Sequence, residues 1–251
     1  MITRTATITG MRTGIHTGIT TAMPDASSLL RLMTWMSPSF PVGAFTYSHG
    51  LEWAVEQGEV RDAESLRLWL LDVLHHGAGR SDAVLMAEAW RRVSDADPEA
   101  ELADLVDLAL ALNPSEERLL ESESQGKAFV KAALAGWPVF EGSGADLAAD
   151  VKRAPYPVAV GAVAGLTGIA LEQALAAFLH GVVANLISAG VRLVPLGQSD
   201  GIRVLAALEA EVIARAEWAA KAGFEELGGF APLIDIASMK HETQYTRLFR
   251  S

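Results

Sequence analysis

Apolar side chains recur along this chain at helical spacing, and no stretch alternates as a strand would. Leu29, Leu30, Leu32, Met33 and Met36 predict a first short helix. Asp62 has the chemistry of an N-cap, and Leu66, Trp69, Leu70, Val73 and Leu74 behind it form one clean stripe, closed by Gly77 and Gly79. Leu85, Met86, Ala89 and Trp90 mark a further helix, and Leu102, Leu105, Val106 and Ala109 another. Asp97-Pro98 and Asn113-Pro114 each put a capping residue before a Pro suited to the first helical position. Asn113 with Glu116 three residues on reads as a capping box. The helix that follows, to about Ala135, carries Arg118, Ser122 and Gly126 on one face. Small residues there admit a neighbouring backbone, and the reading is close helix packing, with a partner-facing groove as the alternative.

Gly136 to Asp146 is a loop rich in Gly, but the helices on both sides need each other to cover their apolar faces, so it does not divide two domains. From Ala154 to Val191 the one charged side chain is Glu172. Pro155, Pro157, several Gly, and then Gln173, His180, Asn185 and Ser188 argue against a membrane span and for a central buried helix pair. Leu175, Phe178, Leu179, Val182, Val183 and Leu186 form a bulky stripe that belongs in a core or at a subunit contact, and they are the candidates for a homodimer interface. Leu196 to Gly201 reads as a tight polar turn before a helix from Ile202 to Lys221, with Leu205, Leu208, Val212 and Ala216 on its core face. The fold class is all-α: a single compact bundle of roughly eight to ten helices over residues 25–251. A Thr/Gly-rich extension over residues 1–24 is read as disordered; it lacks the apolar region of a secretory signal.

Composition narrows the chemistry. The chain has 251 residues and no Cys, which removes disulfides, thiolate ligands and a Cys nucleophile. A net charge of −11 opposes nucleic acid and anionic membranes. No G-x-x-x-x-G-K-[ST] loop and no G-x-S-x-G elbow is present. His49 and Glu52, three apart on a helical face, are the one pair placed to supply metal ligands, and a metal-dependent hydrolase built on them is the alternative to a protein without catalysis.

Two segments do not look like helix or linker. Ser37 to Glu52 reads SPSFPVGAFTYSHGLE: Pro38 and Pro41 fix the backbone, Gly43 frees it, and Tyr47, Ser48 and His49 lead into a helix near Gly50. The end, Ser238 to Ser251, mixes Lys240, Arg247 and Arg250 with Tyr245, Leu248 and Phe249, aromatic and aliphatic groups that a solvated tail has no use for.

Ser37 to Glu52, with VPLGQSDG at Val194 to Gly201, DIASMKHETQYTRLFRS at Asp235 to Ser251 and more loosely EERLLESESQGKAF at Glu116 to Phe129, resembles the urease accessory protein UreF family. The resemblance runs from about Leu29 to the last residue. Phe40 and Thr46 depart from the residues more often expected there. The resemblance implies an all-helical, dimeric, cytoplasmic protein of urease maturation. It would bind the accessory protein UreD (UreH in some systems) and recruit the GTPase UreG, so that nickel reaches apo-urease. Nickel and GTP would then be handled by partners, with no cofactor bound here. It also implies a recognition surface of Ser37, Pro38, Pro41, Gly43, Tyr47, Ser48, His49 and Glu52. The tail residues Lys240, His241, Glu242, Tyr245, Arg247, Leu248, Phe249 and Arg250 would dock on UreD, with Leu248 and Phe249 as anchors, and would order on binding.

Overall fold

Nine consecutive residues, Pro157 to Gly165, are buried in a helix with no charged side chain, and the rest of the chain is wrapped around it. A computed structural model describes residues 25–94 and 101–251. The elements run α1 (Ala26–Trp35), α2 (Leu51–Glu56), α3 (Ala63–His75), α4 (Ala78–Ser94), α5 (Ala103–Ala111), α6 (Glu116–Gly136), α7 (Ala145–Arg153), α8 (Tyr156–Leu166), α9 (Leu171–Leu193), α10 (Gln198–Lys221) and α11 (Pro232–His241). Single 3-10 turns occupy Ala44–Thr46 and Phe224–Glu226, and no strand occurs among the described residues. The all-α expectation therefore holds. Residues 1–24 and the Asp97-Pro98 pair lie outside the described residues.

Helix α8 is clamped between α4 and α6, and two glycines set the spacing. A methyl group on Gly161 would sit 2.2 Å from the Met86 carbonyl oxygen, and one on Gly126 would sit 2.1 Å from that of Ala154. Both neighbours are backbone, which cannot swing aside as a side chain can. Close helix packing is thus what the Arg118–Ser122–Gly126 face provides at its Gly end. A second layer is formed by α9 and α10, which pack along one another and on α3.

Local sequence explains most boundaries. Asp62 caps α3 through the Ser65 N–H at 2.8 Å, and the five predicted apolar residues of that helix are all buried. Gly79 does not end α3; it lies in the first turn of α4, where its missing side chain lets the turn sit against Val73 and Leu74. Asn113 does not cap α6. Its side-chain amide donates to the carbonyls of Ala109 (3.0 Å) and Leu110 (3.1 Å), closing α5, while Ser115 caps α6 through the Arg118 N–H. Helix α10 begins at Gln198, earlier than the predicted Ile202, because the Asp200 carboxylate turns back to the Gly197 N–H at 2.9 Å.

Of the two places expected for the bulky stripe of α9, a core or a subunit contact, the structure puts it in the core. Leu175, Phe178, Leu179, Val183 and Leu186 are each at most 1 % exposed within the single chain, and only Val182 is partly open. They fill the chain's own core, so this stripe has no surface to offer a second copy. What α9 turns outward is the small-residue side, with Ala176, Ala177, Gly181 and Ala184 partly open. Helix α9 is long and apolar enough to cross a bilayer, yet half of its most apolar window is buried inside the chain.

Candidate functional site

The 36–50 connection is held in shape by three residues in the left-handed region: Gly43 (φ 74°), His49 (φ 55°) and Gly50 (φ 77°). Gly50 is required twice over, because a Cβ there would fall 2.5 Å from the Ser238 backbone nitrogen on α11. His49 has no such excuse; a side chain in this region costs energy and is kept by what surrounds it. Behind the connection Trp35 meets Phe129 and Trp137 edge-on, at ring separations of 5.7 and 5.5 Å, which ties α1 to α6.

Three segments far apart in sequence meet at the buried face of α6. Glu121 lies at the centre, 2 % exposed. Its carboxylate faces the His49 Nε2 (2.7 Å) and the Arg118 guanidinium, and accepts from the Gln125 amide (2.8 Å) and the Ser251 hydroxyl (2.7 Å). Burial pushes its pKa up, but Arg118, His49 and the hydroxyl outweigh that, and the group titrates at about 2. His49 moves down, first from burial and then from the Arg118 charge. A neutral imidazole beside an ionised carboxylate carries its proton on Nε2, which leaves Nδ1 a bare acceptor. That Nδ1 is buried and has no hydrogen-bond partner among the described residues.

A second carboxylate anchors the tail. Glu52 accepts the N–H of Leu248 at 2.7 Å and of Phe249 at 2.9 Å, and faces the His241 Nε2 at 3.1 Å. His241, fully buried, turns its Nδ1 to Glu117 (2.6 Å), whose other oxygen takes Arg247 (2.6 Å). Glu242 caps α6 through the Glu116 N–H at 2.8 Å, and Ser238 meets Ser115 at 2.6 Å. The Ser48 N–H donates to the Ser251 carbonyl (2.6 Å) and the Arg250 N–H to the Thr46 carbonyl (2.8 Å). Buried charge is tolerable only when paired in this way.

The sequence-predicted residues are therefore brought together, but as a joint within the chain. Tyr47, Ser48, His49 and Glu52 are buried, as are His241 and Phe249. Phe249 lies under the Arg192 guanidinium at 4.3 Å, so it is an anchor onto this chain and not a free apolar anchor. The tail is ordered on the body itself, contrary to the expectation that it orders on binding. Pro38, Pro41, Lys240, Arg247 and Arg250 are exposed, Ser37 and Gly43 partly so, and Leu248 and Tyr245 are 74 % and fully exposed. His49 and Glu52 do not form a metal pair: His49 is committed to Glu121, and both Glu52 oxygens to the tail. Among the described residues no group of three or more His, Asp or Glu is placed to hold a metal ion.

Glu121, Gln125, Glu117 and Ser238 were not singled out from the sequence. The signal for the first was present: in EERLLESESQ, polar residues fall on all sides of the helix, and a helix polar all round is either solvated or closing over a buried network.

These features define an all-helical protein whose two irregular segments are locked on one another by buried hydrogen bonds, several of them to carboxylates. The UreF family model matches residues 60–209, a range that leaves both irregular segments outside. A urease accessory protein UreF of Rhodopseudomonas palustris strain BisB5 is 54% identical over 226 residues, covering 90% of this chain and 92% of that one. Its counterpart in Bradyrhizobium diazoefficiens is 50% identical over 230 residues, covering 92% and 94%. That of Methylorubrum populi is 51% identical over 223 residues, covering 88% and 98%. The chain belongs to the UreF family.

Proposed function

We propose that this protein acts in urease maturation as a non-catalytic, cytoplasmic scaffold. It binds UreD (UreH) and recruits the GTPase UreG, so that nickel passes to apo-urease while nucleotide and metal chemistry stay with the partners. The observation that carries this reading is the identity of about half the residues, over nine-tenths of the chain, with proteins named urease accessory protein UreF.

The geometry supports a scaffold in one respect. The buried joint spends its polar groups on holding segments together and leaves apolar groups outside: Phe45 on the connection, Leu233, Ile236 and Met239 on the outer face of α11, and Tyr245 and Leu248 on the tail. Exposed apolar side chains grouped on one segment are what a partner covers. The docking contact on UreD is accordingly assigned to Tyr245 and Leu248, with Arg247 and Arg250 beside them, and Phe249 sets their presentation. A homodimer is also proposed, through the outward small-residue side of α9 in place of its buried stripe.

Co-purification tests this. The chain, UreD and UreG expressed together should form a complex that yields nickel-loaded urease, and cells lacking the chain should accumulate urease without nickel. Normal nickel content in those cells would reject the proposal.

A further inference from the structure

Helix α11 buries one face and bares another. Ile234, Ala237, Ser238 and His241 are buried. Phe230, just ahead of the helix, and Leu233, Ile236 and Met239 on it are 45–81 % exposed. At 3.6 residues per turn those three helical positions fall within about a third of the circumference, so they make one apolar ridge and not scattered exposure. The helix has 10 residues, which makes the ridge about 15 Å long.

The banks of the ridge are acidic. Glu116 and Glu242 lie on the α6 side, joined by the Glu116 N–H that donates to the Glu242 carboxylate at 2.8 Å. Glu56 ends α2 on the other side, where Gln244 donates to it. None of these three carboxylates has an ion-pair partner among the described residues. Lys240 is the one exposed cation of α11, and Arg247 beyond it is spent on Glu117. Three carboxylates against one ammonium leave the surface negative.

We infer that this ridge receives a basic amphipathic helix of a partner protein. The apolar stripe of that helix packs on Phe230, Leu233, Ile236 and Met239, with about 8–10 Å between the axes. Lysines or arginines on its flanks reach Glu56 on one side and Glu116 and Glu242 on the other. Charge selects this occupant over the others. A second copy would set the same carboxylates against one another, in a chain whose net charge is −11. Anionic lipid and nucleic acid meet the same repulsion. The ridge is separate from the Tyr245 and Leu248 contact, and the inference does not rest on the maturation reading.

The test titrates the full chain, labelled with ¹⁵N, into two fluorescent peptides of the same amphipathic pattern, one with lysine (LKKLLKLLKKLLKL) and one with glutamate (LEELLELLEELLEL) on the polar face. The lysine peptide should bind saturably by anisotropy, more weakly as salt is raised, and shift the Ile236 and Met239 amide resonances. The glutamate peptide should not bind. Leu233→Ser with Ile236→Ser, both exposed positions, should weaken the lysine peptide about tenfold or more. Glu56→Gln with Glu116→Gln should weaken it about fivefold or more at low salt. Leu68→Ser with Glu209→Gln, an exposed apolar and acidic pair on α3 and α10, should leave binding unchanged. Equal loss in that control, equal binding of the glutamate peptide, no saturation, or full affinity in the Leu233/Ile236 variant would overturn the inference. Self-association of the chain that disappears in the Leu233/Ile236 variant would also overturn it, assigning the ridge to a second copy.

Discussion

Glu52 and Phe249 are 197 positions apart, yet the Phe249 N–H donates to the Glu52 carboxylate at 2.9 Å in a buried setting. The same carboxylate holds Leu248 and faces His241, so one side chain on a six-residue helix fixes the last turn of the tail. Glu52→Ala should therefore free the tail while leaving the helices intact. Charge-assisted hydrogen bonds contribute roughly 1.5–3 kcal/mol each, and unpairing His241 adds to the loss. We expect about 2–4 kcal/mol lower stability in urea unfolding, with the Leu248 and Phe249 amides losing their protection from hydrogen exchange. Unchanged exchange at those two amides would count against the joint.

Acid should loosen the same region through Glu121. In the unfolded chain this group titrates near 4.5, and in the folded chain near 2. Between those values the unfolded state binds more protons, so stability is fully present above about pH 4.5 and falls as pH drops toward 2. Asp82 works in the opposite sense. Its folded pKa of about 6 lies above the unfolded 3.8, so its contribution declines as pH rises through that window. Denaturation midpoints followed from pH 3 to 8 should accordingly lose part of their acid slope in Glu121→Gln, and Asp82→Asn should gain stability relative to the parent above pH 6.

Gly126→Ala and Gly161→Ala test the helix clamp. Each added methyl would meet a carbonyl oxygen at 2.1–2.2 Å, and relief requires moving α8 bodily. Overpacking of this kind costs about 1–3 kcal/mol and often more against backbone. Thermal unfolding should record the loss in both variants, whereas Gly136→Ala, with open space around it, should change little.

Removal of residues 245–251 separates the two roles of the tail. UreD capture should be lost while far-UV circular dichroism stays that of the full chain. Replacing Tyr245 and Leu248 together by Ser should weaken capture by tenfold or more, since exposed anchors at a contact typically carry over 1 kcal/mol each. Arg192→Ala, which uncovers Phe249, should weaken it less. Retained capture by the Tyr245/Leu248 variant would move the contact elsewhere on the surface.

Much of this architecture could be read from the chain itself. The stripe Leu66, Trp69, Leu70, Val73 and Leu74 and the Asp62 cap are set by a 3.6-residue period and one local hydrogen bond, so α3 was legible almost residue for residue. Asn113 was misread because a capping residue can bond forward or back, and Ala109 and Leu110 happened to have carbonyls to offer. For the α9 stripe the sequence leaves core and subunit contact both open, because apolar periodicity reports that a face is covered, not by what.

The sequence by itself determined the helices, their caps, the absence of thiol chemistry and the two irregular segments that matter, because each depends on neighbours a few residues away. Only the tertiary structure decided that those segments bind one another, that Glu121 is their common partner, and that the His49 Nδ1 is buried without a partner among the described residues. Those outcomes rest on buried carboxylates finding hydrogen-bond partners more than seventy positions away, and a buried polar group has no local rule to announce where its partner lies.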